Sequence, residues 1–182
     1  SAILTLYVAA SDGGAAIASA TVALSQARKA SGNEMNVAVS LKTEDDFNSI
    51  GYPIGNKEGF KGIKNLTIDG YEYIVNATAS SYAILDKGIY SLFLGKADSY
   101  IQFPVIDGYK LVSVEIVCGA NMANGNQLNI VDASDATFST EFGPTVAGDK
   151  GQTHKFELTG TAVNTAYRLK VLADKNLQIN GW

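Results

Sequence analysis

Aromatic and amide side chains near the C-terminus are the residues of this chain whose types and spacing best fit chemistry with a ligand. Trp182 shares the polar phase of a candidate strand with Gln178 and Asn180, which predicts a strip that faces solvent. Aromatic rings stack on the apolar C–H faces of sugars, and amides pair with hydroxyl groups. A frayed chain end, or a bulge at Gly181 that turns Trp182 inward, explains the pattern equally well.

Two tyrosines carry the same kind of chemistry. Tyr100 and Gln102 flank Ile101 and therefore lie on the polar phase of another candidate strand. Tyr82 lies in the segment 77–83, which we predict to be a connection whose aromatic ring contacts ligand. For each tyrosine, a ring that only fills the surface is the alternative, since isolated exposed apolar groups are common.

Amide side chains crowd one predicted strand connection, the segment 121–127 with the sequence NMANGNQ. We include Asn121, Asn124 and Asn126 among the candidate ligand-binding residues, because loops on rigid scaffolds often carry recognition. A turn built from Asn and Gly explains the same residues.

Nucleophilic catalysis and zinc binding are both disfavoured. The single histidine, His154, alternates with Phe156 and Leu158, so we expect a packed or edge imidazole rather than a catalytic base. The single cysteine, Cys118, lies on the apolar phase of a strand, where a thiol behaves as a small hydrophobe. One histidine and one cysteine leave too few ligands for a usual zinc site.

Carboxylates could form two other kinds of site, a hydrolytic site and a calcium site. Glycoside hydrolysis needs two carboxyl groups roughly 5–10 Å apart, and Glu72, Glu115 and Glu157 each lie on the polar phase of a strand. Solvated charges are their ordinary explanation, so no residue is assigned as catalytic. Asp132 and Asp135 are hard oxygen donors that suit a structural Ca²⁺, but a solvated turn fits their spacing better. We therefore expect no cofactor, with calcium as the alternative.

Composition limits the class of partner. The chain has 182 residues, 18% of them charged, and a formal net charge of −4, so it lacks the basic excess that nucleic-acid phosphates require. No apolar run approaches the roughly 20 residues that span a bilayer. We expect a folded β-rich protein with no nucleic-acid partner and no membrane span.

The elements that position these residues are short strands with a two-residue period. Val112, Val114 and Ile116 share one phase between residues 110 and 118, which is typical of a half-buried strand. Asp-Gly and Asn-Gly pairs, which supply the positive φ angles of tight turns, lie at 69–70, 107–108 and 124–125. Strands are predicted at 64–68, 71–76, 89–94, 100–103, 110–118, 127–131, 154–158, 166–172 and 177–182. This density predicts an all-β sandwich or barrel with antiparallel connections.

The segment from Ser1 to about Thr43 is rich in Ala and Ser, poor in aromatics, and differs from the rest of the chain. Helical spacing favours a helix over 15–30, although Ala18, Ala20 and Val22 also alternate as in a strand. Extra strands on the sandwich or part of a second domain are both compatible with this composition.

Residues 35–41 alternate more clearly and predict a strand that pairs with 3–8. The Gly- and Pro-containing stretch 43–62 reads as a loop with one helical turn beginning at Thr43. We place the domain boundary there, which gives an N-terminal segment 1–60 and a β-domain 61–182.

Three segments point to a family: YSLFLGKADSYIQFP at 90–104, DGYKLVSVEIVCGAN at 107–121 and NTAYRLKVLADKNLQI at 164–179. Over about residues 62–182 the chain resembles jelly-roll domains of secreted and surface lipoproteins of the Bacteroidetes. The resemblance implies an antiparallel β-sandwich of jelly-roll type, similar to many carbohydrate-binding modules. It also implies export to the periplasm or cell surface, with a lipid anchor outside this sequence. It implies no established activity.

These observations predict a non-catalytic, exported module that binds glycan through a polar and aromatic surface. The alternative is a structural or protein-interaction domain, an adhesin part or spacer whose faces contact neighbouring surface proteins. A glycoside hydrolase is the third hypothesis. Clustering of Trp182, Tyr100 and amides on one face would favour glycan, whereas a flat apolar patch would favour protein contact.

Overall fold

The computed structural model describes residues 2–9, 16–24 and 34–182. The chain divides into two compact units, Ser1–Val37 and Ala38–Trp182. In the first unit, β1 (Ala2–Ala9) pairs antiparallel with β2 (Ala16–Leu24).

The helix predicted over 15–30 is wrong for residues 16–24, which form β2. Alanine favours a helix, but Thr21 and Val22 are β-branched and suit a strand. Pairing with β1, from Ala2 opposite Leu24 onward, supplies the hydrogen-bond partners that a helix would otherwise provide. Residues 15 and 25–30 of the predicted helix lie outside the described residues.

The second unit contains a short helix, α1 (Glu44–Ser49), two 3₁₀ turns and a series of strands. The strands are β3 (Phe60–Ile68), β4 (Tyr71–Asp86), β5 (Ile89–Leu94), β6 (Tyr100–Gln102), β7 (Ser113–Cys118), β8 (Leu128–Val131), β9 (Thr153–Glu157), β10 (Arg168–Val171) and β11 (Leu177–Gly181). Each overlaps a predicted strand, so the positions of the nine predicted strands are confirmed.

Strand β4 joins two sheets. Its first part pairs with β3 and β6, and its second part pairs with β5. The first sheet therefore has the order β3-β4-β6-β10-β8, and the second has the order β4-β5-β11-β7-β9. All these pairings are antiparallel.

The strands pair in this order because the chain reverses its path once. After β8 the chain runs back, so that β9, β10 and β11 pair with β7, β6 and β5 in turn. Successive ladders alternate between the two sheets. This topology confirms an antiparallel β-sandwich of jelly-roll type.

The inner faces of both sheets contribute to one core. Val75, Ile101 and Leu169 of the first sheet are fully buried, as are Leu92 and Ile179 of the second. Their neighbours in sequence point outward, because side chains alternate along a strand. The outer faces are therefore where polar side chains can meet a ligand, except along β8 and β11, whose residues are all buried.

The turn predictions are confirmed in backbone conformation. Asp69 and Gly70 both have positive φ, 50° and 82°, and they connect β3 to β4 as a hairpin of the expected kind. Gly108 and Gly125 also have positive φ. These residue types keep the register between neighbouring strands fixed.

The segment before α1 forms backbone hydrogen bonds with two strands of the second sheet. Val39 N donates to Trp182 O at 2.7 Å, and Leu41 N donates to Asn180 O at 2.8 Å. Lys42 O accepts from the amide of Tyr90 on β5. The predicted pairing of 35–41 with 3–8 is wrong, because β1 pairs with β2 and this segment meets β11 through a single bridge.

Helix α1 begins after Thr43, as predicted, and the structure adds a capping box at this end. Thr43 Oγ1 accepts from Asp46 N at 3.2 Å, and Asp46 Oδ2 accepts from Thr43 N at 2.8 Å. Phe47 on α1 is fully buried against the rings of Tyr52 and Tyr90. The compact unit therefore begins at Ala38, well before the predicted boundary at about residue 60.

Candidate functional site

The outer face of the first sheet brings polar, aromatic and cationic side chains together in two rows. The register places Gln102 between Ile74 and Arg168 in one row, and Tyr100 between Asn76 and Lys170 in the next. All six side chains are partly exposed. We call this surface the Tyr100 face, made of Ile74, Asn76, Tyr100, Gln102, Arg168 and Lys170.

Three side chains of the Tyr100 face hold one another in place. The guanidinium carbon of Arg168 lies 4.5 Å from the centre of the Tyr100 ring, within the range of a cation–π contact. Arg168 Nε also donates to Gln102 Oε1 at 3.0 Å. The ring and the guanidinium therefore lie at the surface with fewer accessible rotamers than isolated side chains would have.

Lys170 forms ion pairs with two carboxylates. Its Nζ lies 3.0 Å from Asp98 Oδ1 and 2.9 Å from Asp135 Oδ2. Partial burial alone would lower the pKa of Lys170, but the hydrogen bonds and charges of Asp135 and Asp98 outweigh that effect and raise it. The ammonium stays charged and links the loop before β6 to the loop after β8.

The two calcium candidates have other partners in this structure. Asp132 Oδ1 accepts from the amide and hydroxyl of Ser134 and from the amide of Ala136. The hydroxyl contact of Ser134, followed by these amides, lowers the pKa of Asp132. Asp135 pairs with Lys170, and within the described ranges no three His, Cys, Asp or Glu side chains form a group that could hold a metal. A solvated turn accounts for both carboxylates, and calcium stays a prediction.

The predicted strip at the C-terminus does not face solvent. Gln178 and Asn180 are 6% and 7% exposed, and Asn180 Nδ2 donates to Tyr90 O and Ser91 Oγ. The register of β11 shifts between Ile179 and Gly181, and the partly buried Trp182 ring packs edge-on against Tyr73, with centroids 5.4 Å apart. The alternative in which Trp182 turns inward is therefore the observed one.

Tyr82 lies within a strand rather than in the predicted connection. β4 continues through 77–83 because it crosses from the first sheet to the second, where Tyr82 pairs with Phe93. The two rings stack, with centroids 4.8 Å apart and planes 26° from parallel. Tyr82 and Tyr100 thus lie on the outer faces of different sheets.

The amides of the connection between β7 and β8 separate into two groups. Asn121 and Asn124 are exposed. Asn126 is fully buried, with its backbone amide donating to Thr145 Oγ1 and its Oδ1 accepting from Gln127 N. Asn126 therefore supports the loop, whereas the two exposed asparagines remain available to a ligand.

The chain's histidine lines a shallow cleft of about 210 Å³ bounded by residues 140–141 and 154–157. The His154 ring is nearly parallel to that of Phe142 and also meets Phe156 edge-on. Two carboxylates of the cleft have partners, since Glu141 accepts from Gln127 Nε2 and Glu157 lies 2.6 Å from Lys155 Nζ. Because the imidazole is stacked and both carboxylates are paired, we interpret the cleft as a packed surface depression and assign no site to it.

Sequence reasoning placed Tyr100 and Gln102 correctly on a polar phase but missed Arg168, Lys170 and Asn76. The signal was present, because Arg168 and Lys170 flank the apolar Leu169 within a predicted strand. What the sequence lacks is the strand order, which places β10 next to β6.

No protein-family model and no curated protein matches this chain. Among the described residues, no helix has the length and apolar character needed to cross a membrane.

Proposed function

We propose that this protein is a non-catalytic module that binds glycan at the Tyr100 face. The observation that carries the proposal is the Tyr100 ring, held by Arg168 and bordered by the amides of Gln102 and Asn76 on one sheet face. An aromatic ring beside amide and guanidinium donors matches the two kinds of surface on a sugar, its C–H face and its hydroxyl rim.

Pre-organisation supports this role. A ligand that stacks on a freely rotating tyrosine must restrict its rotamers, whereas the contact with Arg168 already restricts Tyr100. Because the guanidinium covers one face of the ring, the sugar would stack on the other face. The sheet beneath is rigid, since Ile101 and Leu169 between these residues are fully buried. We expect a shallow site with modest affinity, because nothing in the described residues encloses the ring.

Export to the cell surface or periplasm, through a lipid anchor outside this sequence, is part of the proposal. It comes from the resemblance to surface lipoproteins and fits a module that meets polysaccharide outside the cell. The proposal assigns no catalytic residue. Release of reducing ends from a bound glycan would contradict the non-catalytic assignment and favour a glycoside hydrolase.

The test is binding of the purified protein to a broad glycan array and to insoluble polysaccharides. Tyr100→Ala should abolish saturable binding. Tyr82→Ala is the matched control, because Tyr82 is also a partly exposed tyrosine on an outer sheet face but belongs to the other sheet. Both variants need a circular dichroism spectrum that matches the wild type.

Three other outcomes are informative. Binding lost only in Tyr82→Ala would move the site to the second sheet. Binding that survives in both variants would exclude both faces. A folded protein that binds no plant, host or microbial glycan would refute the proposal.

A protein-contact role is the second candidate, and an apolar patch at one end of the sandwich favours it. Val105, Tyr109, Val112 and Val163 are 41–56% exposed. Their loops are joined, since Asn164 N donates to Tyr109 O and Asn164 Oδ1 accepts from Gly108 N.

Exposed apolar side chains that cluster in this way are typical of interaction surfaces. The test compares self-association by sedimentation velocity in the wild type and in Val112→Ser/Val163→Ser. Association lost in the double variant would support contact at this patch. A monomer in both cases would leave the patch without a role in self-association.

A further inference from the structure

We infer that the Tyr100 face selects acidic glycans, and that Arg168 binds a carboxylate of a uronic acid while the sugar stacks beside it. This inference rests on the proposed function, since it names the class of ligand for the same site.

The hydrogen-bond inventory of Arg168 carries the argument. A guanidinium has five N–H donors and no acceptor. Its Nε–H is used by Gln102, but in the described part of the chain the terminal NH₂ groups pair with no carboxylate and donate no hydrogen bond. Lys170, two residues away on the same face, has both of its carboxylate partners in place. Arg168 therefore retains four N–H donors for a ligand, whereas two of the three donors of Lys170 are already used.

The orientation of Arg168 adds the second part of the argument. Tyr100 supports the guanidinium plane, and Gln102 fixes the Nε edge. The two terminal nitrogens of a guanidinium fixed in this way form a planar fork that matches a carboxylate with two parallel hydrogen bonds. A neutral hydroxyl would use only one of these donors.

Nearby carboxylates repel an acidic ligand, so its attraction to the Tyr100 face depends on direct contact with Arg168. Lys170 offsets one of the two negative charges of Asp98 and Asp135, so one negative charge remains there. Asp132 is close enough to Arg168 for the guanidinium to favour its ionised form, but its Oδ1 is occupied by the donors of its own turn. A ligand carboxylate would therefore be held by the fork of Arg168 against repulsion from Asp132 and from the remaining charge of the Asp98 and Asp135 pair.

The experiment compares sodium polygalacturonate with its methyl-esterified form, which has the same sugar backbone without the charge. We expect the wild type to bind the acidic polymer at least about tenfold more tightly, as a charge-assisted pair of hydrogen bonds implies. Arg168→Gln should remove this preference, and Arg168→Lys should remove most of it because an ammonium lacks the planar fork.

Asp132→Asn provides an independent check that leaves Arg168 intact. The asparagine oxygen can still accept the hydrogen bonds of the turn, while the negative charge is lost. We expect about two- to fivefold tighter binding of the acidic polymer and no change for the methyl ester.

The outcomes separate this inference from the proposed function. Equal binding of both polymers, lost in Tyr100→Ala, would overturn the acidic preference and support the glycan site. A preference for dextran sulfate over dextran, with none for polygalacturonate, would overturn the carboxylate assignment. If the folded protein binds none of these polymers and no glycan of the array, both the acidic preference and the proposed function are refuted.

Discussion

The imidazole of His154 lies parallel to the ring of Phe142 to within 10°, with ring centroids 3.7 Å apart. Phe156 meets the same imidazole edge-on at 4.7 Å. A histidine that contacts two phenylalanine rings loses part of its hydration, and this burial lowers its pKa below the ordinary 6.5, with a smaller opposing contribution from the charge of Asp149. The neutral ring is therefore the form that the fold stabilises.

A lowered pKa of His154 makes stability depend on pH in a defined direction. The unfolded chain binds a proton near its ordinary pKa, while the folded chain resists it, so the stabilisation is present above about pH 6.5 and is lost as pH falls through the folded pKa. NMR titration of the His154 Hε1 resonance should give a pKa below 6.5. His154→Phe should flatten the change in the free energy of unfolding between pH 7.5 and 5.5, and a folded pKa above 6.5 would contradict this account.

Cys118 should be unreactive in the folded protein. It is 1% exposed, and burial, with a smaller contribution from the charge of Asp149, raises its thiol pKa to about 11. Thiolate is the reactive form, so labelling by a disulfide reagent at pH 8 should be slow in buffer and immediate in concentrated urea. Rapid, complete labelling of the native protein would show that β7 opens readily.

The sequence predicted strand positions well because alternation is a local property. The prediction stopped β4 at residue 76, since the segment 77–83 contains small residues and no clear alternation. The strand continues there because it crosses between sheets, and this is a property of the whole fold. The predicted helix over 15–30 failed for a related reason, because the alanine content of β2 was weighed without knowledge of its partner β1.

The candidate site was harder to predict. Alternation along a strand shows which residues share a side, but it does not show which sheet the strand belongs to. Tyr82 and Tyr100 both lie on outer faces, yet on different sheets. Trp182 shows a second limit, since one shift of register in β11 at Gly181 reversed the side that simple alternation gives it. The contact between Arg168 and Tyr100 could not be predicted without the strand order, which places β10 beside β6.

Trp182 should act on stability rather than on glycan binding. Its ring packs against Tyr73 and the core, so Trp182→Ala should lower the free energy of unfolding by about 2–3 kcal/mol, measured by urea denaturation. Trp182→Phe should recover more than half of this loss. In folded protein the affinity for glycan should equal that of the wild type, and a loss of binding without a loss of stability would return Trp182 to the list of ligand contacts.

Asp98 and Asp135 should raise stability through Lys170. An ammonium between two carboxylates keeps part of its charge interaction even though both acids are exposed, and removing one acid leaves the other in place. Asp98→Asn and Asp135→Asn should each cost about 0.2–1 kcal/mol. If the double variant loses more stability than the two single variants together, either carboxylate alone can hold Lys170.

Gly181→Ala should detach the segment 39–42 from the end of β11. A Cβ at Gly181 would collide with the backbone carbonyl oxygen of Val39, and neither backbone can move without lengthening the hydrogen bonds between Val39 and Trp182. We expect a loss of about 1–3 kcal/mol, as for other overpacked sites. Gly148→Ala is the matched control, because a Cβ there meets no atom within 4 Å and the change should stay within about 0.5 kcal/mol. Equal stability of the two variants would mean that the contact between Val39 and Gly181 is looser than the structure indicates.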